Sequence, residues 1–99
     1  MIRSAVHPGT ILREDVLKPL GLSIASAAMR LGTSRGTLSR IVNGRARISA
    51  AFAVRLEKAG AGEAQTWVNL QAKYDLATTR LAPGDVVLPL WKGGFRVIP

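Results

Sequence analysis

Residues 23–44 read SIASAAMRLGTSRGTLSRIVNG, and this stretch decides the fold. Ser23 is a good N-cap, and the helix it opens runs through Ala25, Ala28 and Leu31 to a stop at Gly32. Its small residues let another helix approach closely. Thr33 or Ser34 caps the next helix, which ends at Asn43-Gly44 and turns Leu38, Ile41 and Val42 inward. Gly36, Ser39, Arg40 and Asn43 then look outward, with Arg35 at the edge of that face. Two helices of about nine residues joined by a short glycine-containing turn make a helix-turn-helix pattern.

The charge is concentrated around this pattern. The chain has 99 residues and a formal net charge of +8. Between Val16 and Leu56 lie Lys18, Arg30, Arg35, Arg40, Arg45, Arg47 and Arg55 and no acid, so +7 of the +8 sits there. All but one are Arg, the residue suited to bidentate contacts with phosphate and guanine. A polyanionic partner is therefore expected.

Composition narrows the classes further. The length suits one compact domain with a modest core, and 47% apolar residues exclude a disordered chain. With no Cys, disulfide frameworks and Cys-based zinc sites are excluded. No apolar run approaches the ~18 residues that span a bilayer. The opening MIRSAVHPGTILRED turns polar too early for a secretory signal, so a cytoplasmic location and no membrane partner are expected.

Outside residues 23–44, three more helices are expected. The first runs from Gly9 or Thr10 to Lys18 after a His7-Pro8-Gly9 turn, with Pro19 and Gly21 as its stop. Leu12, Val16 and Leu20 form its apolar stripe. A basic loop, Arg45-Ala46-Arg47, precedes a fourth helix from Ser49 to Ala59, with Phe52, Ala53 and Leu56 on one side. The fifth, Glu63 to Arg80, sets Trp67, Leu70, Gln71 and Tyr74 at helical spacing. Trp67 and Tyr74 are assigned to the core first and to a dimer or partner contact second. The character changes at Ala82-Pro83-Gly84, after which residues 86–91 and 95–98 are apolar and β-prone, although Pro89 argues against a central strand. The expected fold is all-α, with five helices in residues 1–80 and a short apolar extension, of β character, at 81–99.

Catalysis finds little support. His7 is the only His and precedes a Pro at a helix entrance, where a structural role is expected. Glu14 and Asp15 point about 100° apart on a helix and make a poor acid–base pair. Glu57, Glu63, Asp75 and Asp85 are scattered, and Gly60-Ala61-Gly62 follows a helix rather than a strand. No enzyme activity, metal or cofactor is expected.

DNA reading is better supported. In a helix-turn-helix the second helix enters the major groove with its N-terminal residues at the base edges. Arg35 and Arg40 lie about 140° apart around that helix and flank its exposed face. Either can pair with guanine through two hydrogen bonds, worth ~1–3 kcal/mol of discrimination. Gly36 leaves room for close approach, and Ser39 can serve a base. Ser34, Thr37, Asn43, Arg45 and Arg47 are assigned to the DNA backbone, and Ser23 with the amides behind it can take a phosphate. Arg55 and Lys18 are read as surface charges.

The motifs also resemble the HigA-type antitoxins, a branch of the phage-repressor-like helix-turn-helix family. The match begins with His7-Pro8-Gly9-Thr10-Ile11-Leu12 and Pro19-Leu20-Gly21-Leu22-Ser23. It continues through Leu31-Gly32-Thr33-Ser34-Arg35 and Ile41-Val42-Asn43-Gly44 to Trp67-Val68-Asn69-Leu70-Gln71 and Tyr74-Asp75-Leu76. It departs from the family at Ile24, where Gln is common, and at Ala27, where Leu is usual. The resemblance implies a five-helix repressor-like domain that dimerises on a palindromic operator, with recognition helices ~34 Å apart, and represses its own operon. It also implies a cognate HigB-like toxin that cleaves mRNA, neutralised by binding in a type II toxin–antitoxin pair.

Two other readings compete with this one. A stand-alone helix-turn-helix repressor needs no toxin. An interaction module would instead use the tail, whose Leu88, Trp91 and Phe95 belong to an apolar load too large to leave in water comfortably. Folding back on the helices or pairing in a dimer is the preferred fate of that tail.

Overall fold

A computed structural model describes residues 6–91. Five helices form its body: α1 (residues 8–20), α2 (Ile24–Leu31), α3 (Arg35–Val42), α4 (Ala50–Lys58) and α5 (Ala64–Thr78). The all-α helix-turn-helix expectation is met, with α2 and α3 as its two helices.

Local capping explains most boundaries. Ser23, Ser34 and Ser49 each accept a hydrogen bond from the backbone N–H three residues on, at 3.1, 3.0 and 3.1 Å. At the α2–α3 turn Gly32 adopts φ 71°, which a side chain disfavours, and lets Thr33 N–H reach the Ala28 carbonyl at 3.0 Å. The same doubled closure ends α1, α3 and α4. Helix α5 is started from a distance: Glu57, near the end of α4, accepts the Ala64 N–H at 2.7 Å.

Helix α1 departs from expectation. It begins at Pro8 and passes through Pro19 to Leu20. Between its α-helical ends, Leu12–Leu17 has the wider i→i+5 bonding of a π-helix, with Lys18 N–H donating to the Arg13 carbonyl. The wide turn ends just before Pro19, whose ring would crowd the Asp15 carbonyl in a tight α-helix. It also changes the register. Leu12 and Leu17, five residues apart, are buried, while Leu20 is 66% exposed. The expected Leu12–Val16–Leu20 stripe is thus corrected to Leu12–Leu17, with Val16 half-buried at its edge.

The core gathers these leucines with Ala27, Ala28 and Leu31 of α2, Leu38, Ile41 and Val42 of α3, Ile48, then Phe52, Ala53 and Leu56 of α4 and Trp67 of α5. Trp67 is 5% exposed, and its indole N–H donates to the Ala61 carbonyl at 2.8 Å. Its first assignment, to the core, is met. Tyr74 is half-buried, edge-on to the His7 ring with centroids 4.9 Å apart.

Within the described residues the extension does not fold back. Residues 79–91 have no strand, and Leu81, Val86, Val87, Leu88 and Leu90 are 65–92% exposed. Trp91 is half-buried, and Phe95 lies outside the described residues.

Helix α1 docks on the recognition helix through backbone. A Cβ at Gly9 would stand 1.7 Å from the Ile41 carbonyl oxygen, so only glycine permits the approach. Beside it the His7 Nδ1 accepts the Gly9 N–H at 2.9 Å and caps α1, and Arg13 donates to the Val42 carbonyl at 3.2 Å. The expected structural role of His7 is met. Burial holds its imidazole below the ordinary value of 6.5, and the Asp75 carboxylate and a backbone hydrogen bond with Ala46 oppose this without cancelling it.

Gly9→Ala should cost about 1–3 kcal/mol or more in urea unfolding, because the clash is with backbone that cannot step aside. Gly36→Ala, whose Cβ meets nothing within 4 Å, should be neutral or stabilising by up to about 1 kcal/mol. For His7, the unfolded chain binds a proton at 6.5 that the folded chain still refuses, so stability is complete above that pH and falls as pH drops towards the lowered folded value. His7→Asn keeps a capping oxygen without a titrating ring. Its urea midpoint should lose the drop that wild type shows between about pH 7.5 and about pH 5.5.

Candidate nucleic-acid interface

The inward face of α3 is fixed by Leu38, Ile41 and Val42, all under 4% exposed. That burial decides what the other face presents. Arg35, Gly36 and Arg40 are exposed, and Ser39 and Thr37 are half-buried along the same side. Among the described residues no carboxylate comes within ion-pair distance of Arg35, Arg40 or Arg45. A Cβ at Gly36 would meet open space, so its surface is bare backbone. Arginines free of internal partners around a flat glycine can form bidentate contacts with base edges.

The polar residues around this face are partly engaged. Ser34 caps α3 and its hydroxyl donates to Thr37 Oγ1 at 2.9 Å. Asn43 turns its amide back onto the Ser39 carbonyl at 2.8 Å. Both arrangements hold the ends of the helix, and their oxygens remain at the surface. Ser23 stands exposed at the start of α2, its Oγ occupied by Ser26 N–H, with the first-turn amides behind it lacking intrahelical partners.

The two arginines of the following loop differ. Arg45 is exposed and unpaired among the described residues. Arg47 is not: its guanidinium lies 2.8 Å from Asp75 Oδ2 on α5. Arg47, assigned to the DNA backbone from sequence, thus stands in an ion pair, because α5 passes beside the loop.

Other contributors were not singled out by sequence. Gln71 is 2% exposed; its side-chain oxygen accepts the Ile48 N–H at 2.8 Å and its amide donates to Asp75 Oδ1 at 2.9 Å. Their i, i+4 spacing on α5 was the available signal. Arg55, expected as a surface charge, donates to the Leu31 carbonyl at 3.2 Å and closes the end of α2. Lys18 behaves as expected, an exposed charge paired with Glu14 at 3.0 Å. Among the described residues no group of three His, Cys, Asp or Glu could hold a metal, and no helix is long and apolar enough to cross a membrane.

Comparison with known proteins agrees with this geometry. A helix-turn-helix family pattern matches residues 14–60. Virulence-associated protein I of Dichelobacter nodosus is 46% identical over 91 residues, covering 87% of this chain and 82% of that protein. Antitoxin HigA-1 of Vibrio cholerae is 32% identical over 78 residues, covering 79% and 73%. The solved structure of Pseudomonas aeruginosa antitoxin HigA with the higBA promoter superposes with a TM-score of 0.72 at 42% identity, covering 75% of this chain and 80% of that one. The chain therefore belongs to the HigA-type branch of the helix-turn-helix family of DNA-binding regulators.

Proposed function

We propose that this chain is a sequence-specific operator-binding antitoxin that works as a homodimer, represses its own operon and neutralises a HigB-like mRNA-cleaving toxin by binding it. The observation that carries the DNA half is the outward face of α3. Among the described residues Arg35 and Arg40 stand there without an acidic partner, on a helix whose opposite side is locked in the core. A family member 42% identical to this chain was solved with the higBA promoter, which supports DNA binding by this chain. In this reading Arg35, Gly36, Ser39 and Arg40 face base edges. Ser23, Ser34, Thr37, Asn43 and Arg45 meet phosphates at the rim and set orientation.

The antitoxin half rests on family membership. Residues 81–99 form an extension separate from the DNA-reading domain of residues 1–80. Val86, Val87, Leu88 and Leu90, 74–92% exposed, are the surface least content in water. The extension, with Leu88, Trp91 and Phe95 as anchors, would serve the dimer, with Tyr74 at the edge of the body as a secondary contact.

Substituting Arg35 and Arg40 together by Ala should weaken binding to the gene's own upstream DNA by at least about 30-fold while leaving the melting temperature unchanged. An unaltered footprint would remove α3 from the interface. Deleting residues 82–99 should halve the mass measured by light scattering; an unchanged dimer would move the subunit contact to the helices. Co-expression with the neighbouring reading frame should yield a second chain that co-purifies, and recovery of the antitoxin alone would favour a stand-alone repressor.

A further inference from the structure

The pairing of Arg47 with Asp75 has a consequence for DNA affinity. Two links tie the loop after the recognition helix to α5, and a third within α5 joins them. The Ile48 N–H donates to Gln71, Gln71 donates to Asp75 Oδ1, and Arg47 sits on Asp75 Oδ2 at 2.8 Å. Gln71 is buried and fully engaged, so the carboxylate it holds cannot swing away freely. Arg45, two residues earlier on the same loop, has no such partner among the described residues. The loop thus carries one free guanidinium and one already neutralised.

We propose that Asp75 is a positioning residue that competes with DNA phosphate for Arg47, with Gln71 aiming it, so that only Arg45 of this loop contributes a full phosphate contact. This rests on the assignment of α3 and its following loop to the DNA interface. A phosphate that takes Arg47 must displace a carboxylate of the same sign, and the counterion released from the DNA is offset by the cation that the freed Asp75 carboxylate takes up. With Asp75 removed, the guanidinium becomes available and one further counterion is released on binding.

The salt dependence of affinity reads this directly, through the slope of log Kobs against log salt for wild type and four variants on the gene's upstream DNA. Arg45→Ala should flatten the slope by about 0.9, and Arg47→Ala should leave it near wild type. Asp75→Asn keeps an oxygen for Gln71 but loses the charge. It should steepen the slope by about 0.9, an extra 3- to 4-fold loss of affinity between about 50 and about 200 mM salt. Asp75→Asn combined with Arg47→Ala has the wild-type net charge and should restore the wild-type slope. That result separates the release of Arg47 from the loss of an acid or a disturbed fold. If Arg47→Ala flattens the slope as much as Arg45→Ala does, Arg47 reaches phosphate despite Asp75 and the proposal is overturned. If Arg45→Ala has no effect, the loop is not at the interface, and the functional assignment of this loop fails with the proposal.

Discussion

The structure depends on one contact between backbones: the first turn of α1 lies against the Ile41 carbonyl so closely that no side chain fits at Gly9. That approach sets the distance between α1 and the recognition helix. His7 and Arg13 reinforce it from either side, one capping α1 through its imidazole and the other reaching the Val42 carbonyl. A helix meant to enter a groove must be held from behind, because its outward side chains cannot also serve as packing. Here Leu38, Ile41 and Val42 supply the apolar grip, and Gly9 supplies the proximity that makes it tight.

The same division governs charge. Three arginines have been drawn into the architecture: Arg13 and Arg55 close helix ends through carbonyl oxygens, and Arg47 is held by Asp75. Arg35, Arg40 and Arg45 have no acidic partner among the described residues. A net charge of +8 therefore overstates the surface that a polyanion meets and understates how localised it is. These three lie on α3 and the loop just beyond it, a geometry that converts charge into orientation as well as attraction.

Much of this was legible in the sequence because its causes are local. Serines at 23, 34 and 49 and the glycine at 32 act within one turn of themselves, so they fixed the boundaries of the motif without help from elsewhere. What escaped was whatever depended on a distant element. The π turn in α1 made Leu17, rather than Leu20, a core residue, and i, i+4 counting has no means of seeing an inserted position. The Asp75–Arg47 pair joins residues that share no helix, and the capping of α2 by Arg55 spans two elements. Trp67 was legible as core, but its hydrogen bond to Ala61 was not, since it depends on the turn between α4 and α5. On the α3 face the outward residues were predicted by helical period alone, which suffices once the inward face is secure.

The central claim is that the face of α3 around Arg35, Gly36, Ser39 and Arg40 is where DNA is read. Titrating isotopically labelled protein with its upstream DNA, and following backbone amide and arginine side-chain resonances by NMR, tests it most directly. The largest shifts and intermolecular contacts to bases should fall on those four residues, with smaller changes at Ser23, Asn43 and Arg45. Contacts to bases confined to α5 or the C-terminal extension, with α3 undisturbed, would contradict it.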